Sequence, residues 1–182
     1  MRVEAILVKP KFRVNVTQLL NITGGVKKCL WGGANVNSRD SSGNTPLHHA
    51  VFNNELSTVK FLLENGAMAF PSNEKNLTPL HIAALQDLPL IAAVLLKSVS
   101  KFEQLLRIYE TDDDGDTPLH MAGMNDSVKM IGLLLDLGAD LTARNKINKT
   151  PIDAMKEGCT LLLMSRMASD KKSTPQKGTK LF

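Results

Sequence analysis

The chain has 182 residues, 43% of them hydrophobic and 22% charged, which suits one globular domain and excludes a disordered polyelectrolyte. Aromatics make up only 4%, so any core must be aliphatic. The net charge of +4 is unevenly spread: residues 1–31 carry +5, residues 167–182 carry +3 and residues 32–166 carry −4, and an acidic body between basic ends argues against a folded nucleic-acid-binding surface.

In chain order, residues 1–13 read as an N-terminal extension. The opening "MRVEAILVKPKFRV" has an apolar stretch too short and too interrupted by charge for a secretory signal, and no small-residue cleavage site follows it. Cys29 and Cys159 show no CxxC or Cys/His spacing, so a reducing compartment is expected. The expected home is the cytoplasm, with the nucleus as the alternative. The sequons at Asn15, Asn21, Asn76 and Asn148 then carry no glycan. The longest apolar runs, "LPLIAAVLL" and "CTLLLM", fall short of the roughly 20 residues a membrane helix needs.

From "VKKCLWGGANVNSRD" onward the chain repeats itself. "TPLH" stands at 45–48, 78–81 and 117–120, and "TPID" at 150–153, at intervals of 33, 39 and 33 residues. Each Thr is placed to cap a helix whose first residue is Pro, where the missing N–H costs nothing. Leu47 and Ala50 then face inward on a short first helix. "ELSTVKFLLENG" predicts a second helix with Val59, Leu62 and Leu63 at helical spacing, stopped by Gly66 as Gly33 and Gly138 stop others. Leu62 and Leu133 are expected to be buried between repeats. The units run 14–39 (degenerate, with "FRVN" where "TPLH" should fall), 40–72, 73–111, 112–144 and 145–168, a cap ending in "CTLLLMSRM". Residues 169–182 read as a flexible basic tail.

Period, "TPLH" motif and the trailing "LLxxGA" together resemble the ankyrin repeat, over about residues 14 to 166. The resemblance implies an all-α solenoid of about four and a half stacked helix-turn-helix units with hairpin turns between them. The third unit departs from the pattern, because "KSVSKFEQLLRIYE" replaces its glycine stop. Leu95, Val99, Phe102, Leu105, Leu106 and Tyr109 keep helical spacing, so the second helix is expected to run on, or restart after Ser98–Ser100, with its apolar face inward.

The stretch "ETDDDGDTPLH" crowds five carboxylates beside a histidine. A calcium loop starting at Glu110 would place Met121 where a bidentate Glu is required, so that reading fails. An acid–base pair would need a desolvated cleft, whereas this is expected to be an exposed turn tip, an acidic surface patch. His48, His81 and His120 recur one repeat apart, too far to share a metal, and no nucleophile, phosphate-loop or zinc motif appears. No catalytic residues, cofactor or metal are expected, and the chain reads as non-enzymatic.

The resemblance also implies where a partner protein would sit: on the hairpin tips and on two positions late in each first helix, lining a concave side. Seven and eight residues after each cap Thr stand Phe52–Asn53, Leu85–Gln86 and Met124–Asn125, each pair an apolar residue and an amide. The tips supply Lys75 and Leu77, then Asp113, Asp114 and Asp116, then Lys146. An apolar stripe with a charged edge suits an interface core and rim, and the competing reading turns these apolar groups inward as padding. A protein partner and a monomeric chain are expected, and nucleic acid is not. "DGDTPLH" at 114–120 also resembles inhibitors of Rel-type transcription factors. The alternative is an adaptor tethered by its basic ends to nucleic acid or an acidic membrane.

Overall fold

The computed structural model describes residue 30, residues 32–155 and residue 160. The expectations for the degenerate first unit around Phe12–Asn15, for the "CTLLLMSRM" cap helix and for both chain ends lie outside these residues.

The regular structure of the described residues is helical: α1 Pro46–Phe52, α2 Leu56–Glu64, α3 Pro79–Leu85, α4 Pro89–Lys97, α5 Lys101–Ile108, α6 Pro118–Met124, α7 Val128–Asp136 and α8 Pro151–Ala154. α1, α3, α6 and α8 each follow a Thr-Pro step. The hydroxyls of Thr78, Thr117 and Thr150 accept from the amides three residues on, and the side chain at that third position reaches back to the Thr backbone N–H. Three of the four helices use a histidine for this second bond, at 3.0 to 3.2 Å. A backbone N–H can only donate, so Nδ1 is the acceptor and Nε2 carries the ring proton. That proton points toward the next unit: Nε2 of His48 and His120 donates to the carbonyls of Leu77 and Lys149 at 3.0 and 3.1 Å, and Nε2 of His81 is shared between the carbonyl of Glu110, at the end of its own unit, at 3.1 Å and that of Asp116 in the next at 3.2 Å. Each histidine therefore caps its own helix and ties two repeats together.

The helices form two layers. α1, α3, α6 and α8 stack in sequence on one side, and α2, α4 and α7 on the other. Short side chains let the inner row pack closely: Ala50 and Val51, Ala83 and Ala84, then Ala122 and Gly123 are all buried. Gly123 shows how tight the last junction is, since a Cβ there would lie 2.7 Å from the Pro151 carbonyl oxygen. Val59 and Leu62, Ile91 and Leu95, and Met130, Ile131 and Leu134 fill the space between layers. The expected burial of Leu62 holds, but that of Leu133 is off by one position. Leu134 aligns with Leu62 and Leu95 and is fully buried, while Leu133 is only half-buried.

The turns between units are built by a recurring Asx residue five positions before each cap Thr. Oδ1 of Asp40, Asn73, Asp112 and Asn145 accepts two backbone amides across each turn, at 2.8 to 3.2 Å. Neighbouring tips then join by backbone bonds, Glu74 N–H to Ser42, Asp113 N–H to Lys75 and Lys146 N–H to Asp114. Gly43 and Gly115 sit in the left-handed region at φ of +75° and +79°, where an added Cβ would meet the next tip's backbone nitrogen at 2.9 and 3.0 Å. Both the backbone conformation and the close approach require glycine there.

The insertion in the third unit forms a separate helix, α5, rather than a longer α4. Ser98 closes α4 by donating to the Leu95 carbonyl, and Ser100 opens α5 through a reciprocal bond pair with Glu103. Its apolar face does not turn inward as expected. Only Ile108 is buried, while Phe102, Leu105, Leu106 and Tyr109 face solvent. The physical reason is that no described repeat lies over it: α5 stands beside the stack, resting Arg107 on the Phe70 ring and the Tyr109 hydroxyl on the Gly138 carbonyl.

Candidate protein-binding face

The three positions seven residues after a cap Thr fall at the C-terminal ends of α1, α3 and α6. Phe52 is 63% exposed, Leu85 46% and Met124 45%, although each lies one turn from fully buried neighbours. The helix twist explains this. Positions 47, 50 and 51 face the stack and position 52 points away, and the next two units repeat the arrangement. Because α1, α3 and α6 are stacked neighbours, the three apolar groups form a row across three repeats.

Asn53, Gln86 and Asn125 are the C-caps of those helices, held by their backbone N–H groups. Their side-chain amides make no hydrogen bond among the described residues. The next residue, Asn54, Asp87 or Asp126, takes a left-handed φ of 50° to 55° and turns the chain into the outer helix. The row is thus an apolar ridge edged by unengaged amides.

The tips differ from the expected edge in two ways. Lys75, Asp113, Asp114 and Lys146 face solvent, but Asp112 and Asp116 are buried, so the acidic stretch is not wholly an exposed patch. Asp112 is the Asx residue of its turn, and Asp116 accepts from Asn145 Nδ2 of the next unit at 2.7 Å. Asp116 is a stacking group. Leu77 is likewise half-buried against the core and does not belong to the open rim. Asp113 accepts from Asn76 Nδ2 at 2.7 Å, and the Lys146 ammonium donates to the Asp113 carbonyl, so even exposed tip residues are held in place.

Titratable groups here serve architecture. Burial pushes His48 and His81 below the ordinary imidazole range, which keeps Nδ1 free to accept the Thr amide. Burial alone would raise the Asp40 carboxyl, but the hydrogen bond from His49 at 2.8 Å and the amides of Asn44 and Ser42 outweigh it and hold it below the usual value. Among the described residues no three His, Cys, Asp or Glu side chains gather as a metal cluster. No helix of those residues is long and apolar enough to cross a membrane.

This geometry of capped inner helices, Asx turns and regular stacking agrees with comparison to known families. A model of three consecutive ankyrin repeats matches residues 18–104, and a single ankyrin repeat model matches residues 114–146. The chain belongs to the ankyrin repeat family. The chain is similar to part of the fruit fly transient receptor potential cation channel subfamily A member 1, with 33% identity over 62% of this chain and 9% of the channel. An ankyrin repeat protein of fowlpox virus is 33% identical over 66% of this chain and 81% of its own length. Rat NF-kappa-B inhibitor alpha is 30% identical over 72% of this chain and 41% of its own. The chain thus spans only about a tenth of large relatives such as the channel. The two family matches leave residues 105–113 between them, which include the second half of α5 and Tyr109.

Two features of the face escaped the sequence reading. The Asx ladder was visible as Asp or Asn five residues before every cap Thr, but attention to charge at the tips obscured it. The outward stripe of α5 had a clear apolar spacing and no signal for its direction.

Proposed function

We propose that this ankyrin repeat chain is a non-enzymatic binding module that masks or scaffolds another protein through the row Phe52, Leu85 and Met124. The observation that carries this reading is exposure. Three large apolar groups at equivalent positions are 45% to 63% exposed although each is adjacent to a fully packed stack. Exposed apolar rows rimmed by polar groups mark interaction sites. The amides of Asn53, Gln86 and Asn125 are placed to bond a partner's backbone, and Lys75, Asp113, Asp114 and Lys146 supply a charged rim that steers orientation. The partner matches the ridge with an apolar strip of its own. Masking is favoured because one relative is, by its name, an inhibitor of another protein, and because rigid tips suit steric occlusion.

The experiment is quantitative affinity purification from cells with the wild-type chain beside Phe52→Ala and Leu85→Ala. Each substitution is expected to cost about 1–3 kcal/mol of binding, roughly a 5- to 150-fold loss of affinity for the captured protein. Unchanged capture by both variants would refute the row as the docking site.

A further inference from the structure

Phe52, Leu85 and Met124 are alike in being large, apolar and exposed, but only the third carries an atom that oxidants attack. A thioether sulfur is soft and polarizable, and the oxidant has to reach it, so exposure sets how fast it reacts. Of the five methionines among the described residues, Met121 and Met130 are buried and Met155 is half-buried against the core, while Met68 and Met124 face solvent. Met121 and Met124 lie one turn apart on α6, at 8% and 45% exposure. One helix thus shields one thioether and presents the other.

The two exposed thioethers stand in different places. Met124 ends α6 in the row, on the layer of stacked helices that also carries Leu85 and Phe52. Met68 follows the outer helix α2, past Gly66, and its backbone N–H donates to Asn37 Oδ1 of the preceding unit. Oxidation at Met68 therefore leaves the row as it is, and oxidation at Met124 changes it.

We propose that Met124 is a redox-responsive position, at which oxidation to the sulfoxide switches off docking on the row. This rests on the reading of the row as a docking site. The oxidant is a peroxide. The sulfur lone pair attacks one peroxide oxygen and the O–O bond breaks. The departing hydroxide takes the proton from the transferred oxygen and leaves as water, so sulfur loses two electrons and the peroxide gains them. The product is a polar side chain in place of an apolar one. Against a partner's apolar strip its oxygen loses water and meets no donor, which weakens the contact beyond the lost packing. In the free chain that oxygen stays in solvent and the stack is undisturbed. Reduction of the sulfoxide restores the thioether, so the change is reversible.

Hydrogen peroxide treatment of the full chain, read by peptide mass spectrometry, gives the order of reaction. Met68 and Met124 are expected to gain one oxygen well before Met121 and Met130, with the melting temperature unchanged at that stage. The treated chain is then compared with the untreated one in capturing the protein whose binding Phe52→Ala weakens. Capture by the wild type should fall at least about fivefold and recover after methionine sulfoxide reductase. Whatever its own affinity, Met124→Leu should capture equally before and after peroxide, and Met68→Leu should give no such protection. Met121 reacting as early as Met124 overturns the proposal, as does undiminished capture by the oxidised wild type. So does an equal loss in Met124→Leu, which places the effect on another methionine. Capture that Phe52→Ala itself leaves unchanged removes the row as the docking site, and this inference with it.

Discussion

Two stretches of this chain have the same apolar spacing and opposite fates. On α4, Ile91, Leu95 and Leu96 are buried between layers; a few residues later on α5, Leu105 and Leu106 stand half in solvent. α5 even has the better N-terminus, a Ser100–Glu103 capping box where α4 starts at Pro89 without a side-chain cap. The difference is that α4 has α2 on one side and α7 on the other, whereas among the described residues no repeat is stacked over α5. Helical periodicity therefore tells which residues share a face, and only the repeat register tells whether that face is covered.

The largest expected effect separates these two regions. Leu62→Ala or Leu134→Ala should destabilise the fold by about 2–5 kcal/mol, since each leaves a cavity between repeats. Leu106→Ala on α5 should cost less than about 0.5 kcal/mol. Denaturant titration measures both, and similar losses at the two sites would erase the distinction.

Packing tightness can be tested at the inner junctions. Gly123→Ala puts a methyl group against the Pro151 carbonyl, a backbone atom with little room to move, and should cost about 1–3 kcal/mol. The tips sharpen the comparison within a single turn. Asp112→Ala strands the amides of Asp114 and Asp116 and should cost about 1–3 kcal/mol, whereas Asp113→Ala in the same turn should cost under about 0.5 kcal/mol. Calcium should leave the melting temperature of either protein unmoved.

Acidity acts on the inter-repeat histidines. His48 and His81 are held below the ordinary imidazole range by burial, so below about pH 6.5 the unfolded chain takes up protons first. Their contribution is whole above that pH and is lost as pH falls through the folded values. The denaturation midpoint should therefore be lower at pH 5 than at pH 7.5. The depressed carboxyls of Asp40, Asp140 and Asp153 act only below their ordinary value of 3.8, outside that window.

Much of this architecture was legible because the repeat writes each structural role several times. The Thr caps, the Pro starts and the left-handed stops at Gly33, Gly66 and Gly138 appear where the motif places them. The row Phe52, Leu85 and Met124 was also readable, since its positions follow from the cap Thr by simple counting. What stayed hidden depended on what lies across a contact. Asp116 looked like a free surface charge until the Asn145 amide of the next unit was placed beside it. The direction of α5 was hidden for the same reason, because a single unrepeated insertion has no neighbour to define its inside.

The most direct test of the account compares two leucines on one helix. Leu80 is fully buried on α3 and Leu85 ends that helix in the exposed row. Leu80→Ala should lower the melting temperature by about 5–20 °C, as loss of a buried leucine implies in a domain of this size, and Leu85→Ala should lower it by no more than about 2 °C. Equal losses from the two substitutions would show that Leu85 is part of the core, and would contradict the assignment of the row to partner binding.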